Sequence, residues 1–484
     1  MKKLTVFVLI CTLLFGASFG APAAAEEPYV RVRLSTGGAQ AAQVLCEGAY
    51  RCGGTSFTGG SVTLERHGAR VRVVHETLGV LSDNAFVYLA RRGEGCLTLE
   101  NARYGTCRYL GDLYACVEDG ALCLVNYVPL TQYLYGVTGG ELRNSHPAEA
   151  LKAQAIAAKG YALSCLGGGG PYDLTDGPND QVYKGYRPDD GRVMAAVDAV
   201  AGRTLLIDGE PLKCYYCTGN GGQTLTPAMR WGADSPANAA YDMRFDPYDL
   251  VGAGGDAAVL ALPSDASAWP AQAQAVFLSA AREQEPRAAQ VLELLALSGY
   301  HNAEDRQGTA LHPADEAPHA WAAAEVRVRL TDGSEAAVRC GFAPEALLEA
   351  GAVACEGANV WFVREEAPGQ WQAVFSRASG HRVGMSHRGM LEMAYQGYTA
   401  AEILAFYYPH ATLSGTETGA DAQRAAAAAQ PTPTPYQVRV IEAPQSAAAQ
   451  PASASLWDLL LCWLARRGPA GGGIIGMYGG VRGG

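Results

Sequence analysis

Glu141 is the residue of this 484-residue chain best placed to carry chemistry. It follows Gly139-Gly140 at the end of an apolar stripe, Leu130, Tyr133, Leu134 and Val137, whose i, i+3, i+4, i+7 spacing predicts one buried face of a helix. Eleven residues past Leu130, Glu141 shares that residue's azimuth if the helix runs on, and so points inward. A carboxyl held partly out of water has its pKa raised toward the range useful for general acid catalysis. The glycine pair is expected to end the helix, and an ordinary helix-terminus carboxylate facing the dipole of the next helix is the competing reading.

A second helical pattern follows at once. Pro147 suits a first helical turn, and Leu151, Ala155, Ala158 and Ala162 continue a stripe to about Cys165. Lys152 and Lys159, seven residues apart, fall on nearly one azimuth, which either holds a carboxylate or polarises a ligand, or is simply a solvated face. Thr218-Gly219-Asn220-Gly221-Gly222-Gln223-Thr224 allows close backbone approach to a ligand but lacks the strand-to-helix spacing of a phosphate loop, which leaves a tight turn. Gly380 to His387 brings two histidines and a serine together without an HExxH or GxSxG frame, the pattern of loop histidines. Cys214-x-x-Cys217 lacks the second pair that a tetrahedral zinc site needs, so a packed or bonded pair beside a turn is expected.

The elements that must position these residues read as α+β. Residues 29–125 alternate apolar and polar positions, as in Tyr29-Val30-Arg31-Val32-Arg33-Leu34, with glycine-rich turns between runs. Mixed strands and turns follow over 181–250, with one helix from Arg192 to Val200. Residues 251–322 read as a helical insertion, with helices near Ala271–Glu283 and Ala288–Leu297, and Glu325–Leu330 is again a strand. Residues 414–484 form an Ala/Pro/Thr-rich tail whose composition cannot bury a core.

Composition narrows the classes. With 49% hydrophobic residues the chain can bury a sizeable core, and its net charge of −11 offers no footprint for a phosphate backbone, so nucleic acid is not an expected partner. Lys2-Lys3, an apolar run from Leu4 to Phe19 and small residues through Ala25 have the layout of a secretory signal peptide over residues 1–25, with an uncleaved anchor as the alternative. Export makes disulfides permissible among 13 cysteines, and Cys46/Cys52, Cys96/Cys107 and Cys116/Cys123 look like neighbours across short loops.

Taken together, several segments resemble the SpoIID/LytB family, which includes stage II sporulation protein D and the amidase-enhancer proteins. The family pattern around its catalytic acid, approximately YLxGVxxxEMPxxWPxEALKAQAxAARTYA, is similar to Tyr133-Leu134-Tyr135-Gly136-Val137 with Glu141, followed by Pro147 to Ala162. Gln181-Val182-Tyr183-Lys184-Gly185 resembles QxYxG, Gly221-Gly222-x-Thr224 the SGGxT turn, and Gly380 to Gly389 the GHGVGMSQYG stretch, in family order across residues 29–413. Departures include Leu142-Arg143 for Met-Pro, His146 for Trp, Asn220 for Ser, and Arg382, His387 and Arg388 in the last motif.

The resemblance implies one SpoIID/LytB-like domain over residues 26–413 and a peptidoglycan lytic transglycosylase, exported and serving sporulation-associated wall remodelling. Glu141 matches the catalytic glutamate. Lys152, Lys159, Gln181, Tyr183 and His381 are the implied substrate-binding residues, glycan strands the substrate, and a cell-wall amidase a further partner. The amidase-enhancer branch implies the alternative, a non-catalytic wall-binding protein. Some members carry zinc through His and Cys before QxYxG; Tyr172 to Asp180 contains neither, so no metal or other cofactor is expected.

Overall fold

The computed structural model describes residues 27–232, 236–254, 257–300 and 321–416. The expected signal peptide and the tail beyond residue 416 lie outside them. The chain divides into two compact units, the first taking residues up to Ser145 with Ala162–Ala201, the second His146–Tyr161 with residues from Gly202 onward.

The first unit is built on β1 (Tyr29–Leu34), β2 (Ala41–Cys52), β3 (Thr55–Thr58), β4 (Ser61–His67), β5 (Arg70–His75), β6 (Gly79–Asn84), β7 (Phe86–Asn101), β8 (Gly105–Tyr109), β9 (Asp112–Glu118) and β10 (Ala121–Pro129). They form one sheet in the order β1-β10-β9-β7-β2-β4-β5-β6, with β3 on β2, β8 on β7 and the short β11 (Leu174–Thr175) beside β1. Period-two alternation drives it: Val30, Val32 and Leu34 are buried while Arg31 and Arg33 stand half-exposed on the other face. Asp119 and Gly120 both take positive φ, 50° and 75°, making the two-residue turn that locks the β9–β10 register. The strand β10 runs straight into helix α1 (Leu130–Glu141), and α3 (Gly191–Ala199) packs against α1. The helix α1 does not stop at Gly139-Gly140; both glycines lie inside it and it ends at Glu141.

Helix α2 (Ala148–Cys165) gives its residues up to Tyr161 to the second unit. That unit continues with β12 (Thr204–Ile207), β13 (Glu210–Pro211), β14 (Tyr216–Cys217), α4 (Pro227–Trp231), α5 (Pro247–Gly252), β15 (Ala257–Pro263) and α6 (Ala271–Gln284). Then come β16 (Ala288–Tyr300), β17 (Trp321–Leu330), β18 (Glu335–Phe342), α7 (Glu345–Glu349), β19 (Val360–Ala367), β20 (Gln370–Ser376), β21 (Met385–Ser386), α8 (His387–Tyr395), α9 (Ala400–Tyr407) and β22 (Thr412–Ser414). Two three-stranded sheets, β15-β20-β19 and β16-β17-β18, share a core with α6 centred on Trp269, Phe277, Leu294 and Phe375.

This corrects the expected helix at Ala288–Leu297. Ala288, Val291, Leu294 and Leu297 are buried at a spacing of three, which resembles a helical stripe. They oppose Leu330, Val328, Val326 and Ala324, spaced by two on β17, because a register shift follows each of the first three. Every bulge inserts one extra residue, so a strand acquires an inward period of three.

The expected neighbours Cys96 and Cys107 are also corrected. Cys107 opposes Leu99, so it shares a face with Leu99, whereas Cys96, three residues before Leu99, sits on the other face and bonds Glu47. Cys46 and Cys52 lie on one continuous strand, β2. Only Cys116 and Cys123 of the three pairs stand directly opposite each other. All described cysteines are thiols.

Candidate functional site

In the first unit, Glu141 is positioned by a glycine face of α1. Gly136 and Gly140, one turn apart, let the helix lie against residues 182–185. A Cβ on Gly140 would come 2.5 Å from the Val182 carbonyl oxygen, and one on Gly136 would enter the Tyr183 ring and reach 2.9 Å from the Gly185 carbonyl. At this approach the Val182 N–H donates to Glu141 Oε1 at 3.2 Å. The carboxyl is half-buried, at the last helical residue.

Gln181 and Tyr183 hold that segment in place. Both are 1% exposed. Tyr133 donates its hydroxyl to Gln181 Oε1 at 3.0 Å, and the Tyr183 hydroxyl donates to Asn126 Oδ1 at 2.8 Å. Asn126 in turn donates to the carbonyls of Leu110 and Asp112, fixing its amide. Desolvation pushes the Tyr183 hydroxyl pKa up, so it stays a donor. Both residues, named from the sequence as substrate-binding candidates, are fully buried and bonded inward, to Tyr133 and Asn126.

Next to this brace opens a polar cleft of about 720 Å³, lined by Ser35, Thr36, Arg103, Asp176, Gly177 and Asn179 among others. Its floor is ordered by Asp176, whose Oδ2 accepts from the Ser35 N–H and Asn101 Nδ2 and whose carbonyl accepts from the Tyr104 hydroxyl at 2.9 Å. Burial, with the Asp176 and Glu141 carboxylates adding to it, pushes the Tyr104 pKa up to about 12. Lys184 places its Nζ 5.6 Å from the Tyr104 ring centre. Sequence reasoning missed Tyr104 altogether, since nothing in a β-rich stretch marks one tyrosine; Lys184 was visible inside its motif.

The second unit holds Lys152, Lys159 and His381. The Lys152 ammonium is almost fully buried and bonds Glu149 Oε1 at 2.9 Å, while Glu149 Oε2 accepts the N–H of Ala400, which opens α9. Lys159 donates to the Arg203 carbonyl at 3.1 Å. Both cations therefore have protein partners within their own unit.

His381 belongs to a motif that is mostly internal scaffolding. Asp249, wholly buried, accepts the N–H groups of Asn220, Gly221 and Gly222 at 2.8–3.1 Å and the Ser386 hydroxyl. The glycine-rich turn thus spends its amides on Asp249 and is the tight turn expected. Asp246 accepts from Asn220 Nδ2 and the Tyr407 hydroxyl, and burial beside Asp249 raises its pKa. Arg382, at φ 68°, stands where the family pattern has glycine; its guanidinium, bonded to the carbonyls of Asn220 and Gln223, offsets that backbone strain. Gly384 lies at φ 71° because a Cβ there would strike the Tyr215 carbonyl.

The His381 ring packs against both Tyr215 and Trp231, which also touch each other. Its Nδ1 accepts from the Val383 N–H at 3.1 Å, and burial, with Arg230 nearby, lowers its pKa to about 4, so it is neutral. Burial likewise lowers His387 to about 4. Cys214 and Cys217 are packed thiols, Cys217 pushed up to about 12 by desolvation. Among the described residues no cluster of His, Cys, Asp and Glu is arranged to hold a metal.

Comparison with known proteins bears on this arrangement. Residues 118–206, which include Glu141, both lysines and Gln181 to Gly185, match the family model described as stage II sporulation protein, SpoIID. An uncharacterised protein of Brachyspira hyodysenteriae is 29% identical over 169 residues, 34% of this chain and 45% of that protein. An amidase enhancer of Bacillus subtilis is 25% identical over 296 residues, 58% of this chain and 40% of that protein. The chain thus spans less than half the length of each of these relatives. Residues 118–206 thus carry the SpoIID family match, and the motifs in order along the chain make it similar to the SpoIID/LytB family.

Proposed function

We propose that this protein is an exported peptidoglycan lytic transglycosylase, with Glu141 as its single acid and base, acting in sporulation-associated wall remodelling. The observation that supports the reading is the seating of Glu141: a half-buried carboxyl at the end of α1, one oxygen held by the Val182 amide.

The chemistry needs only one carboxyl. Protonated Glu141 gives its proton to the glycosidic oxygen as the C1–O bond breaks, and the leaving sugar departs as an alcohol. The carboxylate then removes the proton from the C6 hydroxyl of the same sugar, whose oxygen bonds C1 and closes a 1,6-anhydro ring. No water is consumed and Glu141 ends protonated. Paired-carboxylate glycosidases differ, because their second acid activates water or attacks the sugar.

Mass spectrometry of glycan strands freed of stem peptides tests this directly. Anhydro-ended fragments are expected from wild type and none from Glu141→Gln; intact strands with both proteins would reject it. A second reading is favoured by the Bacillus relative: a non-catalytic wall-binding protein that stimulates a cell-wall amidase. Stimulation of an amidase that survives Glu141→Gln, with no anhydro product from wild type, would select that reading.

A further inference from the structure

We propose that Trp231 is a glycan-stacking residue, the outer wall of an aromatic platform in the second unit that takes the apolar face of an amino-sugar ring. The proposal rests on glycan being the ligand but not on Glu141 being catalytic.

Trp231 closes the short helix α4 and is 45% exposed, whereas most large apolar side chains of this unit are buried. A lone exposed aromatic means nothing by itself. This one is held rigidly: its ring centre lies 4.8 Å from Tyr215 and 5.2 Å from His381, and those two meet edge to face at 6.0 Å.

The supports are themselves fixed. Tyr215 donates its N–H to the Tyr241 hydroxyl at 2.9 Å, and its carbonyl accepts from the Met385 N–H and the Tyr408 hydroxyl. The His381 ring is pinned by the Val383 amide. An indole so braced loses little freedom when a ligand covers it, which is what makes an aromatic an economical anchor.

The charge around it selects the ligand. Lys213 holds its ammonium 4.9 Å from the Tyr161 ring centre and 5.6 Å from that of Tyr215, and Arg230 precedes Trp231. Their positive charge at the margin of a neutral aromatic surface suits a pyranose whose CH face stacks on the indole and whose substituent is a carboxylate, as in a muramic acid unit. A stacked nucleobase would share the aromatic part, but a chain of net charge −11 lacks the wider basic surface that a phosphate backbone requires.

The test uses the full chain carrying Glu141→Gln, so that the strand is not cut whichever reading of catalysis holds. Its affinity for a soluble peptide-free glycan oligosaccharide is compared with that of versions also carrying Trp231→Ala or Trp231→Phe. Alanine is expected to weaken binding roughly tenfold, with phenylalanine much closer to the parent. The parent is also expected to show a change of indole emission on binding that Trp231→Phe lacks, a readout independent of how well the alanine variant folds. Affinity within twofold of the parent for alanine, an emission change that persists in the phenylalanine variant, or Trp231-dependent capture of a single-stranded oligonucleotide in place of glycan would overturn the proposal. Absence of anhydro products from the wild-type chain, with this binding retained, would count against the lytic reading alone.

Discussion

The backbone amide of Val182 donates to Glu141 Oε1 at 3.2 Å, joining residues 41 apart in the chain. The bond exists because Gly140, the residue before Glu141, brings α1 onto the Val182 carbonyl with no side chain between. One residue, Val182, therefore receives the helix at its carbonyl and steadies the carboxyl through its N–H.

Replacing Glu141 with Gln keeps the shape of the side chain and its acceptor oxygen but removes the transferable proton. Formation of anhydro-ended products is expected to fall by about 10²–10⁴-fold while the melting temperature stays within about 2 °C of wild type. Timed product analysis beside a thermal melt checks both halves, and a large fall in melting temperature would make Glu141 chiefly structural.

Gly140→Ala puts a methyl 2.5 Å from the Val182 oxygen, well inside contact distance. Overpacking of this kind costs about 1–3 kcal/mol, of which the better helix propensity of alanine returns up to about 1 kcal/mol. A melting temperature lowered by a few degrees, together with reduced product formation despite an intact Glu141, is the expected outcome. An alanine variant as active and stable as wild type would show that the close approach is unnecessary.

His387 is held neutral by burial, with its pKa lowered from 6.5 to about 4. Between those values the unfolded chain binds a proton that the folded chain does not, so this group makes stability rise with pH from about 4 to 6.5 and fall on acidification. Asp246, raised by burial, works in the opposite sense and is present in wild type and variant alike. In urea titrations across that range, His387→Gln is expected to lower the slope of stability against pH by up to about 1.4 kcal/mol per unit. An unchanged slope would mean that His387 titrates normally in the folded protein.

Cys116 and Cys123 face each other across the β9–β10 ladder, where opposed Cα atoms are separated by about 4.5–5.5 Å, a span that a disulfide can bridge. Exposure of the folded protein to oxidised glutathione is expected to join this pair and to leave Cys96 and Cys107 as alkylatable thiols. Cleavage after Glu118 puts the two cysteines on separate peptides, so peptide mapping reads the bond directly. Labelling of both Cys116 and Cys123 after that treatment would contradict the expectation.

Much of the architecture was legible locally. Alternation in Tyr29 to Leu34 and the stripe from Leu130 to Val137 are periodicities of burial, and both appear as strand and helix where expected. The failures share one cause, that the partner decides what a spacing means. Ala288, Val291, Leu294 and Leu297 repeat every third residue, which a single sequence reports as helical, and only pairing with β17 through successive bulges turns that repeat into a strand. Gly139-Gly140 reads as a helix stop because glycine costs backbone entropy, yet the helix continues because the same absence of side chains admits the segment at Val182.

The amino-acid sequence alone determined the α+β class and the resemblance to the SpoIID/LytB family, with Glu141 as the candidate acid, since these rest on residue types at fixed local spacings. Tertiary structure alone decided the roles around it. Gln181 and Tyr183 carry groups able to bind a sugar, but their hydrogen bonds to Tyr133 and Asn126, 48 and 57 residues away in the chain, make them internal braces. Trp231 was one tryptophan among seven until Tyr215 and His381 came up against it. Long-range packing settles which polar groups are satisfied inside and which aromatic faces stay in water, and no local spacing encodes that.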